Sequence, residues 1–157
     1  MVTIRWLGTA GIEINHERRI ILIDPYISRL GKTDIFLRPL VPIDHAQKDY
    51  LNGLEGNIEA IVCGHTHFDH ALDIPGLARH TRTPVLGCAS LDALLNISGF
   101  QNRVTVCRPG EPFTLDLIAR YDILDVEIGG FRPLTHRFWN PTGDRLRLSV
   151  EGGAATF

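Results

Sequence analysis

Three histidines and an aspartate fall within one six-residue window of this chain, which reads His65-Thr66-His67-Phe68-Asp69-His70. The window directly follows the apolar run 58–62, which is typical of a buried strand. His65 and His67 are two apart and project to the same side of an extended segment. Asp69 and His70 come where the chain turns and can reach a second point nearby. The spacing therefore predicts a strand that ends in a turn carrying polar side chains.

These residue types are metal ligands. Imidazole nitrogen and carboxylate oxygen are the donors that borderline cations such as Zn²⁺ prefer. A lone histidine is more often a solvated loop residue or a core residue, and that interpretation stays open for each of the three. A cluster of histidine and aspartate gains nothing without an ion, however, because the groups repel one another on protonation. The window therefore predicts a metal site with room for two neighbouring ions.

Length and composition fit one globular domain, residues 1–157. Of the 157 residues 44% are hydrophobic and 22% charged, which is ordinary for a chain that buries a core. The net charge of −2 gives no electrostatic case for a nucleic acid or an anionic membrane surface. No secretory signal is visible, and no apolar run approaches a membrane span. We therefore predict a cytoplasmic domain without a transmembrane segment, whose partner is a small-molecule substrate.

The cysteines support a reducing compartment. Cys63, Cys88 and Cys107 are odd in number and widely spaced, and each lies at or beside the end of an apolar run. This pattern is typical of buried free thiols. Cys63 is close to the histidine window, but no second cysteine accompanies it, so a role as metal ligand is not favoured.

Strand and helix signals together predict an α/β fold. Alternating apolar residues over 2–6 and 12–14, a turn at 15–18 and the apolar run 20–23 predict an antiparallel start. The segment 25–56 contains three prolines and little periodicity. We predict that it is a loop with one short helix near residues 46–54.

After the window the pattern alternates between helix and strand. Asp73 and Ser90 are predicted to cap helices that end near His80 and Ser98. The run 84–87 between them is typical of a buried strand. From Val104 onward strands are predicted over 104–106, 113–117, 123–128, 131–134 and 146–150.

The window resembles the metallo-β-lactamase-fold hydrolases, whose hallmark is the string His-x-His-x-Asp-His after a strand. The flanking elements 4–14, 20–25, 71–77 and 108–112 are similar to the branch that includes ascorbate-phosphate lactonase-like and N-acyl-phosphatidylethanolamine phospholipase D-like proteins. The resemblance implies an αββα sandwich, present here mostly as the N-terminal half plus part of the second sheet. It covers residues 2 to about 113 well and the remainder poorly.

The resemblance also implies a ligand set and a reaction. His65, His67 and His136 would bind a first ion, and Asp69 and His70 would face a second. The ion would be Zn²⁺, which lowers the pKa of a bound water from about 16 to about 7, with Mn²⁺ or Fe as alternative ions. The resulting metal-bound hydroxide would attack an ester, lactone or phosphodiester-type substrate. Asp69 would be the catalytic residue that accepts a hydrogen bond from the hydroxide and manages its proton.

Four other residues have a functional and a plain interpretation. In the family, the Asp of an Ile-Asp-Pro element, here Asp24, holds the ligand loop by hydrogen bonds, although a turn aspartate before a proline explains it as well. His45 lies in the long loop and is a candidate for facing the site. His16 and His80 are interpreted as a hairpin-turn residue and a helix-end residue.

The C-terminal part departs from the family pattern. His136 is the only histidine after His80, but Arg137 follows it where the family has Ser or Gly, and the spacing is longer. Family members continue into a second sheet with a bridging Asp and a last His, which this chain lacks. We therefore expect a truncated member that binds at most one ion tightly and that forms a homo-oligomer or exposes apolar surface. Asp122 and His45 are the reserve candidates if two ions bind.

Two alternatives to a hydrolase are considered. One is a truncated or degenerate metal-binding domain that keeps the motif without efficient turnover. The other is the redox branch of the family with a di-iron centre, whose motif carries Glu at the position of His67. The histidine at this position argues against the redox branch.

Overall fold

The computed structural model of the chain describes residues 2–101, 104–107, 124–128, 134–139 and 147–151. It divides into two compact units, Met1–Val106 and Cys107–Phe157. The strands described in the first unit are β1 (Val2–Gly8), β2 (Gly11–His16), β3 (Arg19–Ile23), β4 (Asn57–Val62), β5 (Val85–Gly87) and β6 (Val104–Val106). The helices are α1 (Lys32–Leu37), α2 (Asp44–Asn52), α3 (Phe68–Ala71), α4 (Ile74–Thr81) and α5 (Ala89–Ile97). The mixture confirms the predicted α/β class.

The strands of the first unit form one mixed sheet in the order β1-β2-β3-β4-β5-β6. β1, β2 and β3 pair antiparallel, and β3 to β6 pair parallel. The predicted antiparallel start is therefore confirmed. The turn between β2 and β3 is shorter than predicted, because Glu17 and Arg18 alone form it with φ values of 50° and 67°. His16 is consequently not in the turn but ends β2, where it is buried.

The central strands are buried on both faces. Ile20 and Leu22 of β3 belong to a core cluster with residues of α4 and α5, whereas Ile21 and Ile23 are buried on the opposite face. Two-sided burial is typical of parallel strands. The carboxyl ends of β3 and β4 lie at the same edge of the sheet, as parallel pairing requires. The connections that follow these two strands are therefore neighbours in space.

The long segment after β3 contains two helices, where one was predicted. α2 corresponds to the predicted helix, but α1 was missed. α1 is six residues long and has no buried residue, so it leaves no periodic apolar pattern. Its apolar side chains Phe36 and Leu37 are 79% and 77% exposed.

Neither of the two residues predicted to cap a helix does so with its side chain. Asp73 is at the N-cap of α4, but its side chain makes no capping hydrogen bond. Ser90 lies inside α5, because that helix begins at Ala89 and has Cys88 at its N-cap. The amides of Leu91 and Asp92 bond to the carbonyl of Cys88, which fixes the start. The predicted strand at 84–87 is present as β5.

The second unit contributes a three-stranded antiparallel sheet in the order β7 (Leu124–Ile128), β8 (Leu134–Trp139) and β9 (Arg147–Glu151). β7 and β9 match predicted strands, and so does β6 in the first unit. β8 starts at the end of the predicted strand 131–134 and extends beyond it, so His136 lies within a strand and not after one. The predicted strand 113–117 lies outside the described residues. The single-domain prediction stays a prediction.

Two sequence expectations concern the surroundings of the chain. Within the ranges that the structure describes, no helix is both long and apolar enough to cross a membrane. None of the cysteines forms a disulfide. Cys63 is buried as predicted, whereas Cys88 and Cys107 are only partly buried, because both lie in connections at the rim of the sheet.

Candidate metal centre

The predicted ligand window lies where β4 ends and the chain passes into α3. We call residues 64–70 the ligand loop. His67 is the N-cap of α3, with φ −62° and ψ 150°. Its carbonyl accepts hydrogen bonds from the amides of His70 at 3.0 Å and Ala71 at 2.9 Å, which closes one helical turn. His65 and His67 therefore lie on extended backbone, and Asp69 and His70 lie on the turn, as the spacing predicted.

The four candidate ligands of the loop are brought together. The imidazole ring of His65 lies 4.5 Å from that of His67 and 3.9 Å from that of His70, measured between ring centroids. The Oδ2 atom of Asp69 lies 3.8 Å from Nε2 of His70. His65, Asp69 and His70 are half-buried and His67 is exposed. A small ion or molecule can therefore reach this cluster from solvent.

Asp24 fastens the ligand loop to the end of β3. Its carboxylate is 2% exposed, and Oδ1 accepts a hydrogen bond of 2.6 Å from the amide of Gly64. Oδ2 lies 3.0 Å from Nδ1 of His70. A Cβ atom at Gly64 would lie 3.1 Å from Oδ2, so glycine allows this close approach. The contact expected of Asp24 from the family resemblance is therefore present.

The electrostatics of the cluster favour neutral imidazole at one position and charge at another. Burial lowers the pKa of His65, and the neighbouring His70 and His67 lower it further, because charged imidazoles repel one another. Burial also opposes charge on His70, but its contacts with Asp24 and Asp69 outweigh burial and raise its pKa. A neutral His65 has a lone pair available for an ion at neutral pH.

The donor types fit a divalent ion such as Zn²⁺, which takes imidazole nitrogen and carboxylate oxygen. Nδ1 of His70 is buried at ion-pair distance from Asp24, yet its alignment is not that of a hydrogen bond. The rings contact one another, and no group of three or more His, Cys, Asp or Glu side chains in the described part of the chain surrounds a common point. Binding an ion at this cluster therefore requires the rings to rotate apart about their side-chain torsions.

The remaining candidate ligands named from the sequence lie on other elements or outside the described residues. His136 lies on β8, opposite Val126 and Val150, and the surroundings of its side chain are outside what the structure describes. Asp122 is also outside the described residues. His45 is exposed on α2. The histidine near the end of α4, His80, lies 3.5 Å from Oδ1 of Asp44, which suits the structural role expected for it.

Cys63 lies beside the loop, and its contacts suit a packing role. Its Sγ donates a hydrogen bond of 3.1 Å to the carbonyl of His65. Burial raises the pKa of the thiol well above its ordinary range, and the charge of Asp24 adds to this effect. The hydrogen bond to the carbonyl of His65 supports the loop backbone, and we interpret Cys63 as a packing residue.

One buried polar residue near the site was not recognised as such in the sequence. Asp73 is 0% exposed and its carboxylate accepts a hydrogen bond of 2.6 Å from the side chain of Gln47. The sequence pattern presented Asp73 only as a helix cap. Its partners are about 25 and 45 positions away along the chain, and no local pattern signals them.

A groove of about 850 Å³ lies between α2, the ligand loop, α4 and α5. His67 lines the groove together with the apolar side chains of Phe68, Leu72 and Leu94. Arg79 lines it as well, and its guanidinium carbon lies 5.2 Å from the ring centroid of Phe100. The candidate ligand His67 is therefore reachable from a concave surface that is mostly apolar and is also lined by Arg79 and Asp44.

Known proteins that resemble this chain in sequence point to one superfamily. A family model described as the metallo-beta-lactamase superfamily matches residues 12–157. A UPF0173 metal-dependent hydrolase of Cupriavidus taiwanensis is 31% identical over 111 residues, covering 70% of this chain and 35% of that protein. Ribonuclease J of Methanocaldococcus jannaschii is 32% identical over 74 residues, covering 47% of this chain and 16% of that protein.

Solved structures give a similar result. Igni18, described as a novel metallo hydrolase from the archaeon Ignicoccus hospitalis, matches with a TM-score of 0.51 and 25% identity, over 73% of this chain and 42% of that one. The chain thus spans less than half the length of each of these three proteins.

Proposed function

Because the chain belongs to the metallo-β-lactamase superfamily, we propose that it is the metal-binding part of a hydrolase. The observation that carries this proposal is the cluster of His65, His67, Asp69 and His70 at the exit of β4, with three imidazole rings in contact. The related proteins named metal-dependent hydrolase and metallo hydrolase support it. The proposed substrate is a small molecule with an ester, lactone or phosphodiester-type bond.

The proposed ligand set follows the sequence interpretation. His65, His67 and His136 would bind one ion, and Asp69 and His70 would face a second. A bound Zn²⁺ would supply Lewis acidity and lower the pKa of a bound water to about 7, and Mn²⁺ or Fe in its place would supply Lewis acidity. Asp69 is the proposed catalytic residue, which accepts and passes on the proton that hydrolysis releases.

The residues of the chain would prepare the site in two ways. Asp24 orients His70, because its carboxylate is 3.0 Å from Nδ1 and leaves Nε2 for an ion. The groove beside His67 offers apolar surface and the charge of Arg79 to a substrate body. We also propose a cytoplasmic location, which suits cysteines without disulfides, and self-association through uncovered apolar surface.

The second candidate is a metal-binding domain without efficient turnover. The observation that favours it is that no three candidate ligands within the described residues surround one point. A catalytic zinc site commonly has three protein ligands and an open position. The two candidates differ in whether a third ligand such as His136 completes the site, and therefore in turnover.

The test combines metal content with a substrate panel. We expect the purified chain to contain Zn²⁺, Mn²⁺ or Fe, and the double variant His65→Ala/His67→Ala to lose most of it. His45→Ala, which removes an exposed histidine on α2, is the matched control. Equal metal content in the wild type and the double variant, measured by elemental analysis, contradicts the proposed site.

The panel contains lactones, phosphodiesters, thioesters and a short RNA. Hydrolysis that disappears with a chelator and returns with Zn²⁺ supports a hydrolase. Metal binding without hydrolysis of any of these compounds favours the second candidate. Cleavage of RNA alone would instead point to the activity for which the Methanocaldococcus relative is named.

A further inference from the structure

The connection that follows β3 contains two residues with an unfavourable backbone conformation. We call residues 24–29 the β3 exit. Asp24 at its start and Arg29 at its end both have a φ of 46°, in the left-handed region that residues with side chains seldom adopt. Such a conformation persists where surrounding contacts impose it. The contacts of the β3 exit therefore identify what keeps it in place.

One buried carboxylate connects the β3 exit to the ligand loop. Asp24 accepts the hydrogen bond from the amide of Gly64 and lies at ion-pair distance from His70. The amide of Asp24 donates a hydrogen bond of 2.8 Å to the carbonyl of Val62 at the end of β4. Any displacement of the β3 exit is therefore transmitted to the first and last residues of the ligand loop.

A second buried carboxylate also connects these two parts of the chain, but it lies after the ligand loop and accepts hydrogen bonds from the β3 exit. Asp73, three residues after the ligand loop, accepts hydrogen bonds from the amides of Ile27 at 2.7 Å and Ser28 at 2.8 Å. It also accepts hydrogen bonds from the hydroxyl of Ser28 at 2.5 Å and from the side chain of Gln47 at 2.6 Å. A fully buried carboxylate is unfavourable unless such donors compensate for lost hydration. Four donors converge on this one.

An aromatic contact lies between the two carboxylates. The ring of Tyr26 in the β3 exit packs edge-on against Phe68 of the ligand loop, with centroids 6.0 Å apart and an interplanar angle of 81°. The hydroxyl of Tyr26 accepts a hydrogen bond of 2.8 Å from the amide of Leu30. The β3 exit therefore contacts the ligand loop through Asp24 and Tyr26, and it contacts Asp73 through Ile27 and Ser28.

We propose that Asp73 is a positioning residue for the candidate metal centre, an inference that rests on the function proposed above. Asp73 fixes the β3 exit, and the β3 exit fixes Asp24 and, through it, the orientation of His70 and the turn at Gly64. Asp73 would not touch an ion or substrate. Its effect on the centre would pass through hydrogen bonds to the backbone of a neighbouring segment.

A purely structural role for Asp73 predicts something different. A buried carboxylate that only stabilises the fold would, on substitution, lower global stability and leave the folded protein otherwise unchanged. A positioning role predicts a local effect at the Gly64 amide and a loss of metal affinity in protein that is still fully folded. These two readouts do not depend on turnover.

The experiment compares Asp73→Asn with the wild type in the full chain, at a temperature where both are folded. Asn offers one acceptor oxygen and an NH₂ group that cannot accept the remaining donors. We expect hydrogen exchange of the Gly64 amide in the metal-free protein to rise by about tenfold or more, since its acceptor Asp24 is no longer fixed. We expect the affinity for Zn²⁺ alone, from titration, to fall by about tenfold or more.

Two further variants control the result. Leu95→Ala removes a fully buried side chain on α5 and destabilises the core without removing a hydrogen bond of the β3 exit. Gln47→Met removes one of the four donors to Asp73 with little change in volume, and should show the same effects at a few-fold size even if Asp73→Asn fails to fold. Exchange and affinity that change no more in Gln47→Met and Asp73→Asn than in Leu95→Ala overturn the positioning role.

The result also separates this inference from the proposed function. Zn²⁺ binding that depends on Asp73 and Gln47, without hydrolysis of any substrate, supports the positioning role and contradicts the hydrolase. In another outcome the wild type hydrolyses a substrate, while Asp73→Asn keeps normal Zn²⁺ affinity and normal exchange of the Gly64 amide. This outcome contradicts the positioning role alone. A chain that takes up neither Zn²⁺ nor Mn²⁺ nor Fe contradicts both.

Discussion

The ligand loop and α4 are neighbours in the chain but differ in almost every physical respect. No residue of the ligand loop is buried, and its ionisable side chains contact one another at the rim of the sheet. α4 places Ile74, Leu77 and Ala78 in the core, each 0% exposed. The difference indicates that α4 supplies stability, whereas residues 64–70, the proposed site of the chemistry, contribute little to the core. Substitutions in the two segments should therefore be separable by experiment.

The largest effect on stability is expected in α4. Leu77→Ala removes a side chain from the centre of the core cluster and leaves a cavity. We expect the free energy of unfolding to fall by about 2–5 kcal/mol, measured by denaturant titration of the metal-free protein. Ile97→Ala, at an 87% exposed position in α5, is the control and should change it by less than about 0.5 kcal/mol. Equal losses for both variants would remove the basis of the comparison.

In the ligand loop, substitution should affect activity and leave stability nearly unchanged. Asp69→Asn keeps the shape of a half-buried side chain but removes the group proposed to manage the proton. We expect hydrolysis to fall by about a hundredfold or more, while the protein retains a large share of the metal bound at the first site. The measurements are steady-state kinetics and elemental analysis on the same preparation.

An active Asp69→Asn variant would reject the catalytic role of Asp69. A variant with neither activity nor metal would show instead that Asp69 is needed mainly as a ligand. In either case the unfolding midpoint of the metal-free variant should stay close to that of the metal-free wild type, because the side chain contributes little to the core. A large loss of stability would break the separation between the loop and α4.

The smallest effect is expected at the amino end of the parallel strands, away from the ligand loop. Arg19 of β3 donates hydrogen bonds to Glu59 of β4 at 2.5 and 2.7 Å, and their side chains are 31% and 34% exposed. Solvent screens such a pair, so Glu59→Gln should lower stability by less than about 1 kcal/mol near pH 7. A larger loss would show that exposed strand residues contribute as much to stability as parts of the core around α4.

The same pair has a defined pH dependence. The hydrogen bond with Arg19 and its charge hold the pKa of Glu59 below its ordinary value, against the effect of burial. A lowered pKa in the folded state gives stability above the unfolded pKa, about 4.3, and this stability is lost as pH falls through the folded value. The difference between the wild type and Glu59→Gln should therefore vanish in acid. A difference that persists at low pH would indicate another cause.

The part of the fold that the sequence could predict is the part encoded locally. Alternating residues over 2–6 and 12–14 predicted β1 and β2, and the histidine spacing predicted extended backbone followed by a turn. α1 could not be predicted, because a six-residue helix with exposed apolar side chains has no helical periodicity. The position of the second unit's His136 relative to the ligand loop depends on tertiary structure and stays a prediction.

Asp24 and Asp73 show the same limit at the level of single residues. Asp24 could be anticipated as a partner of the ligand loop, but only through family resemblance, since a turn aspartate before proline has the same local pattern. Asp73 was predicted as a cap because it precedes a helix. Its carboxylate instead bonds to Ser28 and Gln47, which are distant in sequence. Partners of a buried polar group are set by packing, which local patterns do not encode.

The parallel pairing of β3 with β4 has a consequence for folding kinetics. The antiparallel strands β1, β2 and β3 meet through short turns and can pair early, whereas β3 and β4 pair only after the segment from 24 to 56 has closed into a loop. Non-local pairing of this kind slows folding, because loop-closure entropy is lost before contacts compensate for it. The ligand loop follows β4, so the cluster of histidines can assemble only after this late step. A metal ion would therefore stabilise the chain at the end of folding and would not direct its beginning.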